Sequence, residues 1–329
     1  MRKQGAHTNG SRLTRRHVIL SAVMSAATFA LERTGRGGAS ADNAAPAAAA
    51  GTVKIGGDLE VNRLGFGAMR ITGPGIWGEP QNPQEARNVL RRAIELGVNF
   101  IDTADAYGPE VSERLIAEAL RPYSKGLVIA TKGGLVRPGP SAWVPNGRPE
   151  HLRAACEQSL KRLKLERIDL YQLHAIDPRV PLEESLGELA RLQQEGKIRH
   201  VGVSNFKLEE LVRARRVLAV ASVQNRYNVV DRASEDVLEY CAREHIAFIP
   251  WAPLARGTPE ALADKAHGEA FTAIAAVHGI TGLQLAIAWL LAKSPAMLPI
   301  PGTSSVAHLE KNVAAGRIAL GAKELAAIG

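Results

Sequence analysis

The stretch Gly65–Gly75, "GFGAMRITGPG", decides between two architectures. It ends an apolar strand in a chain that goes on to alternate strands and helices. In a doubly wound open sheet, the first strand–helix junction carries G-x-G-x-x-G and lays a pyrophosphate on the helix N-terminus. That fingerprint is absent, and the strand runs into a long loop instead. Further strand-like runs follow at "VNFID", "LVIAT", "IDLYQL", "IRHVGV", "ASVQN", "IAFIPW" and "MLPIPG". Helical segments lie between them, among them "PQEARNVLRRAIELG", "PEHLRAACEQSLKRL", "LEESLGELARLQQEG", "KLEELVRARRVL", "ASEDVLEYCAREH" and "LQLAIAWLLAK". Purely apolar strands imply burial on both faces, hence a parallel sheet covered by helices. Eight strand–helix units in about 270 residues match the α/β architecture of a (β/α)8 TIM barrel. Ahead of them, "TVKIGGDLEVNRLGFG" reads as a short hairpin turning at Gly56-Gly57-Asp58 before the first barrel strand.

Composition narrows the partners. Of the 329 residues 46% are hydrophobic and 22% charged, an ordinary soluble balance. The net charge of +8 suggests nucleic acid until its distribution is read. Residues 1–41 hold seven Lys/Arg and one acid, leaving a net +2 for everything after them. The folded part is thus almost neutral, and no nucleic-acid partner is expected. Cys156 and Cys241 lie far apart in helix-like patterns without metal-type spacing, so thiols are expected and no metal site.

The first residues follow another logic. In "RLTRRHVILSAVMSAATFAL", Arg15-Arg16 precede an uncharged run from Val18 to Leu31, and Ala39-Ser40-Ala41 offers a small-residue cleavage site. The run is too short to span a bilayer and reads as the apolar part of a signal. Residues 1–41 resemble a twin-arginine export signal, with a disordered extension or a misplaced start as the alternative. Residues 42–51 are expected to be an unstructured linker and 52–329 the barrel. Export through the twin-arginine machinery would place the product in the periplasm or beyond, with no membrane-inserted segment after processing; a cytoplasmic location is the alternative.

Chemistry in such a barrel belongs at the carboxyl ends of the strands. In "NFIDTADAYG", Asp102 ends the second strand and Tyr107 stands in the loop beyond; an unpaired acid there would be costly to bury. The third strand delivers Lys132 and the fourth His174. An ammonium beside a phenol stabilises phenolate and lowers its pKa, and a carboxylate holds that ammonium charged and in place. A histidine across the mouth can orient a carbonyl oxygen or share the proton. Such a group suits carbonyl reduction. Singly, each residue has a blander reading: Asp102 as a cap, Lys132 as a surface lysine, His174 as a core histidine. Ser204, Asn205 and Gln224, at the ends of strands five and six, can hydrogen-bond a carboxamide, and Trp251 can stack on a flat ring. After strand eight, Gly302-Thr303-Ser304-Ser305 leads into a helix starting near Val306, a ready anion site or an ordinary capped helix. Together these groups describe a nicotinamide nucleotide lying across the barrel mouth.

From about Thr52 onward the chain resembles the aldo-keto reductases. "NFIDTADAYG", "VIATKGG", "IDLYQLH", "VGVSNF", "VQNRYN" and "IPGTSSVAHLEKN" occur in family order. The resemblance implies a (β/α)8 barrel with its bottom closed by the hairpin, and NADPH bound without a Rossmann fold. It implies Asp102, Tyr107, Lys132 and His174 as a catalytic tetrad with Tyr107 as proton donor. Ser204, Asn205 and Gln224 match the carboxamide ligands, and Trp251 stands where many members stack a tyrosine on nicotinamide. The pyrophosphate falls near Pro253, Leu254 and Gly257. Many members carry lysine at the position of Gly302 and arginine at that of His308 to clamp a 2′-phosphate. With both absent, Thr303, Ser304, Ser305 and Lys311, beside Asn312 of the same segment, are left to compensate, and NADH becomes an alternative cofactor. The chain ends at Gly329, without the long C-terminal loop of many members. An open pocket is therefore expected, closed by "ITGPGIWGEP" and "RPGPSAWVPNG" with Trp77 and Trp143 as apolar walls. "AMRITGPGIWGEP" and "IPGTSSVAHL" resemble a bacterial subgroup that includes pyridoxal reductases, and pyridoxal suits a tryptophan-lined pocket. The expected partner is a small carbonyl substrate. A nucleotide-binding regulatory module that shares the barrel, and an isomerase or lyase without nicotinamide, are the alternatives.

Overall fold

The expected hairpin forms: β1 (Thr52–Ile55) pairs antiparallel with β2 (Leu59–Asn62) across Gly56 and Gly57, both at positive φ. The structure, a computed structural model, describes residues 45–255 and 268–329. The expected signal segment, residues 1–41, lies outside the described residues. Seven parallel strands then build one sheet. In spatial order they are β3 (Phe66–Gly67), β4 (Phe100–Asp102), β5 (Val128–Gly133), β8 (Ile168–Leu173), β9 (Ile198–Ser204), β10 (Val220–Gln224) and β11 (Ala247–Phe248). Chain order and spatial order coincide, as in a barrel and unlike a doubly wound sheet.

The eighth run, "MLPIPG", occupies the gap between β11 and β3. Phe248 N donates to Ala296 O and Leu298 N to Phe248 O, both at 2.8 Å, while Gly65 N donates to Pro299 O at 3.0 Å. The ring therefore closes, although this segment forms no continuous ladder, because Pro299 and Pro301 have no N–H to give. Arg63 reinforces the seam. Its Nη2 donates to Leu291 O at 2.7 Å and its Nε to Met297 O at 3.2 Å. Gly67 and Gly302 meet across it: a Cβ on Gly302 would stand 2.4 Å from Gly67 O, and one on Gly67 2.6 Å from Ile300 O. The glycines of "GFG" thus serve backbone approach at the seam.

Strand alternation sorts the apolar residues. Phe100, Val128, Ala130, Leu170, Ala247, Ile249, Leu298 and Ile300 point inward and pack with Ile55, Leu59 and Val61 of the hairpin, which plugs the amino-terminal end of the barrel. Ile101, Ile129, Tyr171, Val201, Val203 and Phe248 belong to the clusters beneath the outer helices. Those helices are α1 (Pro83–Glu95), α2 (Val111–Leu120), α3 (Pro149–Leu163), α4 (Leu182–Gln194), α5 (Leu208–Ala214), α6 (Glu235–Arg243), α7 (Gly268–Val277), α8 (Gly282–Lys293), α9 (Val306–Ala314) and α10 (Ala322–Ile328). At α1 the start is set by Pro83 in the first turn and by Asn82, whose Oδ1 accepts from Glu85 N. Cys156 on α3 and Cys241 on α6 are buried free thiols, each pushed up to about 12 by burial.

Residues 45–51 differ from the expected linker. Pro46–Ala50 form a turn of 3₁₀ helix whose Ala47 is fully buried and donates its N–H to Leu96 O at 3.0 Å. An alanine-rich run reads as featureless, but alanine is what fits against the end of α1. A second hairpin, β6 (Leu135–Val136) with β7 (Val144–Pro145), projects from the loop after β5 and was not expected. Among the described residues no single helix is long and apolar enough to cross a membrane.

Candidate active site

Period-two alternation carries the inward row of Phe100, Ala130 and Leu170 one step up to Asp102, Lys132 and Gln172, at the carboxyl end of the barrel. Lys132 is wholly buried and Asp102 is 1% exposed. The ammonium spends all three donors: on Asp102 Oδ1 at 2.6 Å, on Thr103 O at 2.8 Å and on Tyr107 Oη at 3.2 Å. The other carboxylate oxygen of Asp102 accepts from Gln224 Nε2 at 2.7 Å and Gln172 Nε2 at 3.2 Å. A buried ion pair is tolerable when every donor and lone pair is used in this way. Tyr107 and His174 complete the group, their rings edge to face with centroids 5.9 Å apart.

Burial pushes the Tyr107 phenol up; Lys132 pulls it down and Asp102 pushes it up again, and the net direction is upward. The lowered value expected from the lysine alone is thus reversed, because the phenol has lost its water. Burial works against the charge on Lys132, but Asp102 and Tyr107 outweigh it and hold the ammonium above its usual range. His174 is held well below its ordinary value by burial, then by Lys132 and Arg137. Its imidazole is therefore neutral. Nδ1 is buried without a partner among the described residues, so a ring proton on Nε2 leaves no buried N–H unpaired there. Of the two roles open to this histidine, donating a hydrogen bond to a carbonyl fits; delivering a proton does not.

A cleft of about 1310 Å³ runs from this cluster across the barrel mouth. Tyr107, Trp143 and His174 line one end; Ser204, Asn205, Gln224 and Trp251 the middle; Pro253, Leu254, Gly302, Thr303 and Ser304 the far end. Asn205 sits in the left-handed region, with φ of 62°, which asparagine tolerates. Its Nδ2 donates to Ser204 Oγ and His174 O, both at 3.1 Å, and its Oδ1 accepts from Trp251 Nε1 at 2.9 Å. Four of the expected ligand residues do not line the cleft. Ser305 caps α9, accepting from His308 N; His308 and Lys311 are exposed on that helix and Asn312 is buried on it. Gly257 lies outside the described residues. Trp77 is likewise no part of the lining; its ring centroid lies 5.5 Å from the Arg137 guanidinium carbon. At Gly302 the lack of lysine has a steric cause, since any Cβ would collide with Gly67 O.

Three residues escaped the sequence reading. Gln172 carried a signal, a polar residue two places beyond Leu170 in an apolar strand, in step with Asp102 and Lys132. Arg70 lines the far end of the cleft, its Cγ 3.6 Å from where a Cβ on Gly302 would be, and has no partner among the described residues. Arg137 is nearly buried and lies over both tryptophan rings, and only its place in "LVRPGPSAW" hinted at it.

The Aldo/keto reductase family model matches residues 63–329. An uncharacterised oxidoreductase of Schizosaccharomyces pombe is 52% identical over 87% of this chain and 91% of its own length. Pyridoxine 4-dehydrogenase of Escherichia coli is 41% identical over 83% of this chain and 95% of its own. Among solved structures, an aldo/keto reductase from Klebsiella pneumoniae in complex with NADP and acetate superposes with a TM-score of 0.71 at 30% identity, covering 84% of this chain and 93% of that one. A match running from the seam arginine to the last residue, over a closed barrel with its polar cluster at the carboxyl rim, leaves one assignment: this chain belongs to the aldo/keto reductase family.

Proposed function

We propose that the protein is an NADPH-dependent oxidoreductase that reduces an aldehyde or ketone to the alcohol, with Tyr107 as proton donor. The observation that carries this reading is the convergence of Tyr107, Lys132, Asp102 and His174 at a cleft of about 1310 Å³. The donor set fits the cofactor. Ser204, Asn205 and the Gln224 Oε1 suit a carboxamide, Trp251 offers a flat ring, and the Thr303 and Ser304 hydroxyls with Arg70 suit phosphates. When bound, NADPH supplies the hydride to the carbonyl carbon. His174 Nε2–H orients the carbonyl oxygen, and the Tyr107 hydroxyl gives that oxygen its proton. Lys132 stabilises the phenolate left behind, and Asp102 with its two glutamines keeps Lys132 charged and aimed. Neighbouring walls exclude water from the transfer.

Tyr107→Phe tests the assignment. It should lower kcat by about 10²–10⁴-fold while the NADPH Kd, read by protein fluorescence, stays within about twofold. Turnover at the parental rate would overturn it. Tight NADPH binding by the parent without turnover on any aldehyde would favour a regulatory module instead, and no NADPH binding an isomerase or lyase.

For the substrate we infer pyridoxal or a similar aromatic aldehyde. The 41% identity to a pyridoxine dehydrogenase supports it, as does Trp143 standing 6.4 Å, centroid to centroid, from both Tyr107 and His174. Turnover of pyridoxal by the purified protein with NADPH tests it. We also propose export by the twin-arginine route, supported by Arg15-Arg16 ahead of the apolar run. Cell fractionation, with Arg15→Lys/Arg16→Lys as control, decides; an unprocessed cytoplasmic product would refute it.

A further inference from the structure

Arg137 is a buried cation without a counter-charge. It is 9% exposed, and no carboxylate of the described residues reaches it. Its donors go to backbone carbonyls of separate loops. Nε bonds Ala142 O at 2.9 Å, Nη1 bonds Ile76 O at 3.1 Å and Ala106 O at 3.0 Å, and Nη2 bonds Pro140 O and Gly75 O. Ala106 immediately precedes Tyr107. The guanidinium carbon also lies over the Trp143 ring, 3.6 Å from its centroid, and over the Trp77 ring at 5.5 Å. A planar fork that ties three loops and stacks on an indole cannot be imitated by a lysine ammonium.

Two consequences follow at the carbonyl end of the cleft. Trp143, 36% exposed and on a short hairpin, would otherwise be a mobile side chain; stacked on Arg137 it is a fixed flat wall beside Tyr107 and His174. The local charge is also unbalanced. Lys132 is paired with Asp102, Arg179 with Asp177 and Arg114 with Glu79, and burial pushes the nearby Asp105 carboxyl well above its usual range, towards the neutral acid, whereas Arg137 has only carbonyl dipoles. Its charge lies close to the carbonyl end, because the Trp143 ring it covers has its centroid 6.4 Å from those of both Tyr107 and His174.

We propose that Arg137 is a specificity-determining positioning residue: it fixes Trp143 as the wall of the carbonyl subsite and leaves one positive charge behind it, so the preferred substrate is a flat aromatic aldehyde bearing negative charge. This inference rests on the carbonyl-reductase reading above and narrows it to a substrate class.

The test uses the full chain, NADPH and para-substituted benzaldehydes of similar shape: carboxylate, trimethylammonium and the unsubstituted compound. The parental protein should favour the carboxylate over the ammonium by about tenfold or more in kcat/KM at low ionic strength. Arg137→Met should reduce that ratio to near one, and the difference should appear in KM rather than kcat. Arg137→Lys should keep the charge preference but lose selectivity for benzaldehyde over a short aliphatic aldehyde, which depends on the wall. In a Trp143→Ala background, Arg137→Met should cause no further loss of that aromatic selectivity. NADPH Kd reports whether each variant folds. If Arg137→Met does not fold, Trp143→Ala alone still decides the wall, and the parental charge ratio still decides the field. A parental ratio near one, or an unchanged ratio in Arg137→Met, overturns the inference while leaving benzaldehyde turnover, and with it the reductase reading, intact. No turnover of benzaldehyde at all would instead strike that reading.

Discussion

Replacing Asp102 by Asn tests the buried pair itself. The carboxylate and the Lys132 ammonium meet at 2.6 Å with essentially no exposure, so the substitution leaves a cation in the interior with no anion. The amide oxygen can still accept from Lys132, but the new NH₂ faces the donors of Gln172 and Gln224. Breaking a buried pair on one side costs about 3–5 kcal/mol, which is the expected loss in urea unfolding at pH 7. The pH dependence is more discriminating. In the parent the Lys132 value is raised in the folded state, so its stabilisation is complete below the unfolded-lysine range and is lost only as pH rises through the raised value. In Asp102→Asn, burial acts without Asp102 and the sign reverses. The folded lysine now sheds its proton before the unfolded one, and stability climbs with pH below the unfolded-lysine range, with a limiting slope of about 1.4 kcal/mol per pH unit. Tyr107 does not confuse the comparison, because its folded phenol is held above the usual range and its unfolded one titrates alike in parent and variant. Parallel stability curves for parent and variant from pH 6.5 to 9.5 would refute the reasoning, since they would mean that Lys132 is not held charged by Asp102.

Other expectations are simpler to measure. Because His174 is neutral across the usual range, kcat/KM should show no ionisation of a histidine between about pH 6 and 8; a fall on the acid side of pH 7 that disappears in His174→Gln would contradict this. Gly302→Ala places a methyl 2.4 Å from Gly67 O and should cost about 1–3 kcal/mol of stability, read as a lower urea midpoint; an unchanged midpoint would show that the seam yields. Arg70→Ala should weaken NADPH more than NADH in direct binding, because Arg70 alone of its neighbours on that loop brings a cation to the Gly302–Ser304 end of the cleft; equal weakening of the two would place it away from a 2′-phosphate.

The residues that sequence could place were those fixed by period and strand end. Once "VNFID", "LVIAT" and "IDLYQL" were read as parallel strands, Asp102, Lys132 and His174 had to reach the same rim, and the same period would have given Gln172. The bottom plug was legible from Gly56-Gly57 between two alternating runs. What stayed hidden depends on contacts far apart in sequence. Arg137 looks like one more charged loop residue until the carbonyls of Gly75, Ile76 and Ala106 are seen around it. Trp77 and Trp143 look like a matched pair of walls, yet Trp143 lines the cleft and Trp77 does not, while one guanidinium lies over both rings. The direction of the Tyr107 shift was missed for a related reason: proximity to lysine is written in the motif, whereas the loss of solvent is a property of the whole barrel mouth. On α9, the sequence marks the cap at Ser305, which the structure keeps, while His308, Lys311 and Asn312 follow it along the helix outside the residues that line the cleft.

The proline-interrupted seam gives the ring a preferred place to breathe. Hydrogen-exchange protection should be lowest along 297–302 and the facing edge of Phe66–Gly67, while β5, β8 and β9 hold their amides longest. Phosphates held jointly by Thr303 and Ser304 on one edge and by Arg70 on the other would lace together two edges that the backbone leaves loosely joined. Slower exchange at that edge on adding nucleotide would then report occupancy and ring integrity as a single equilibrium.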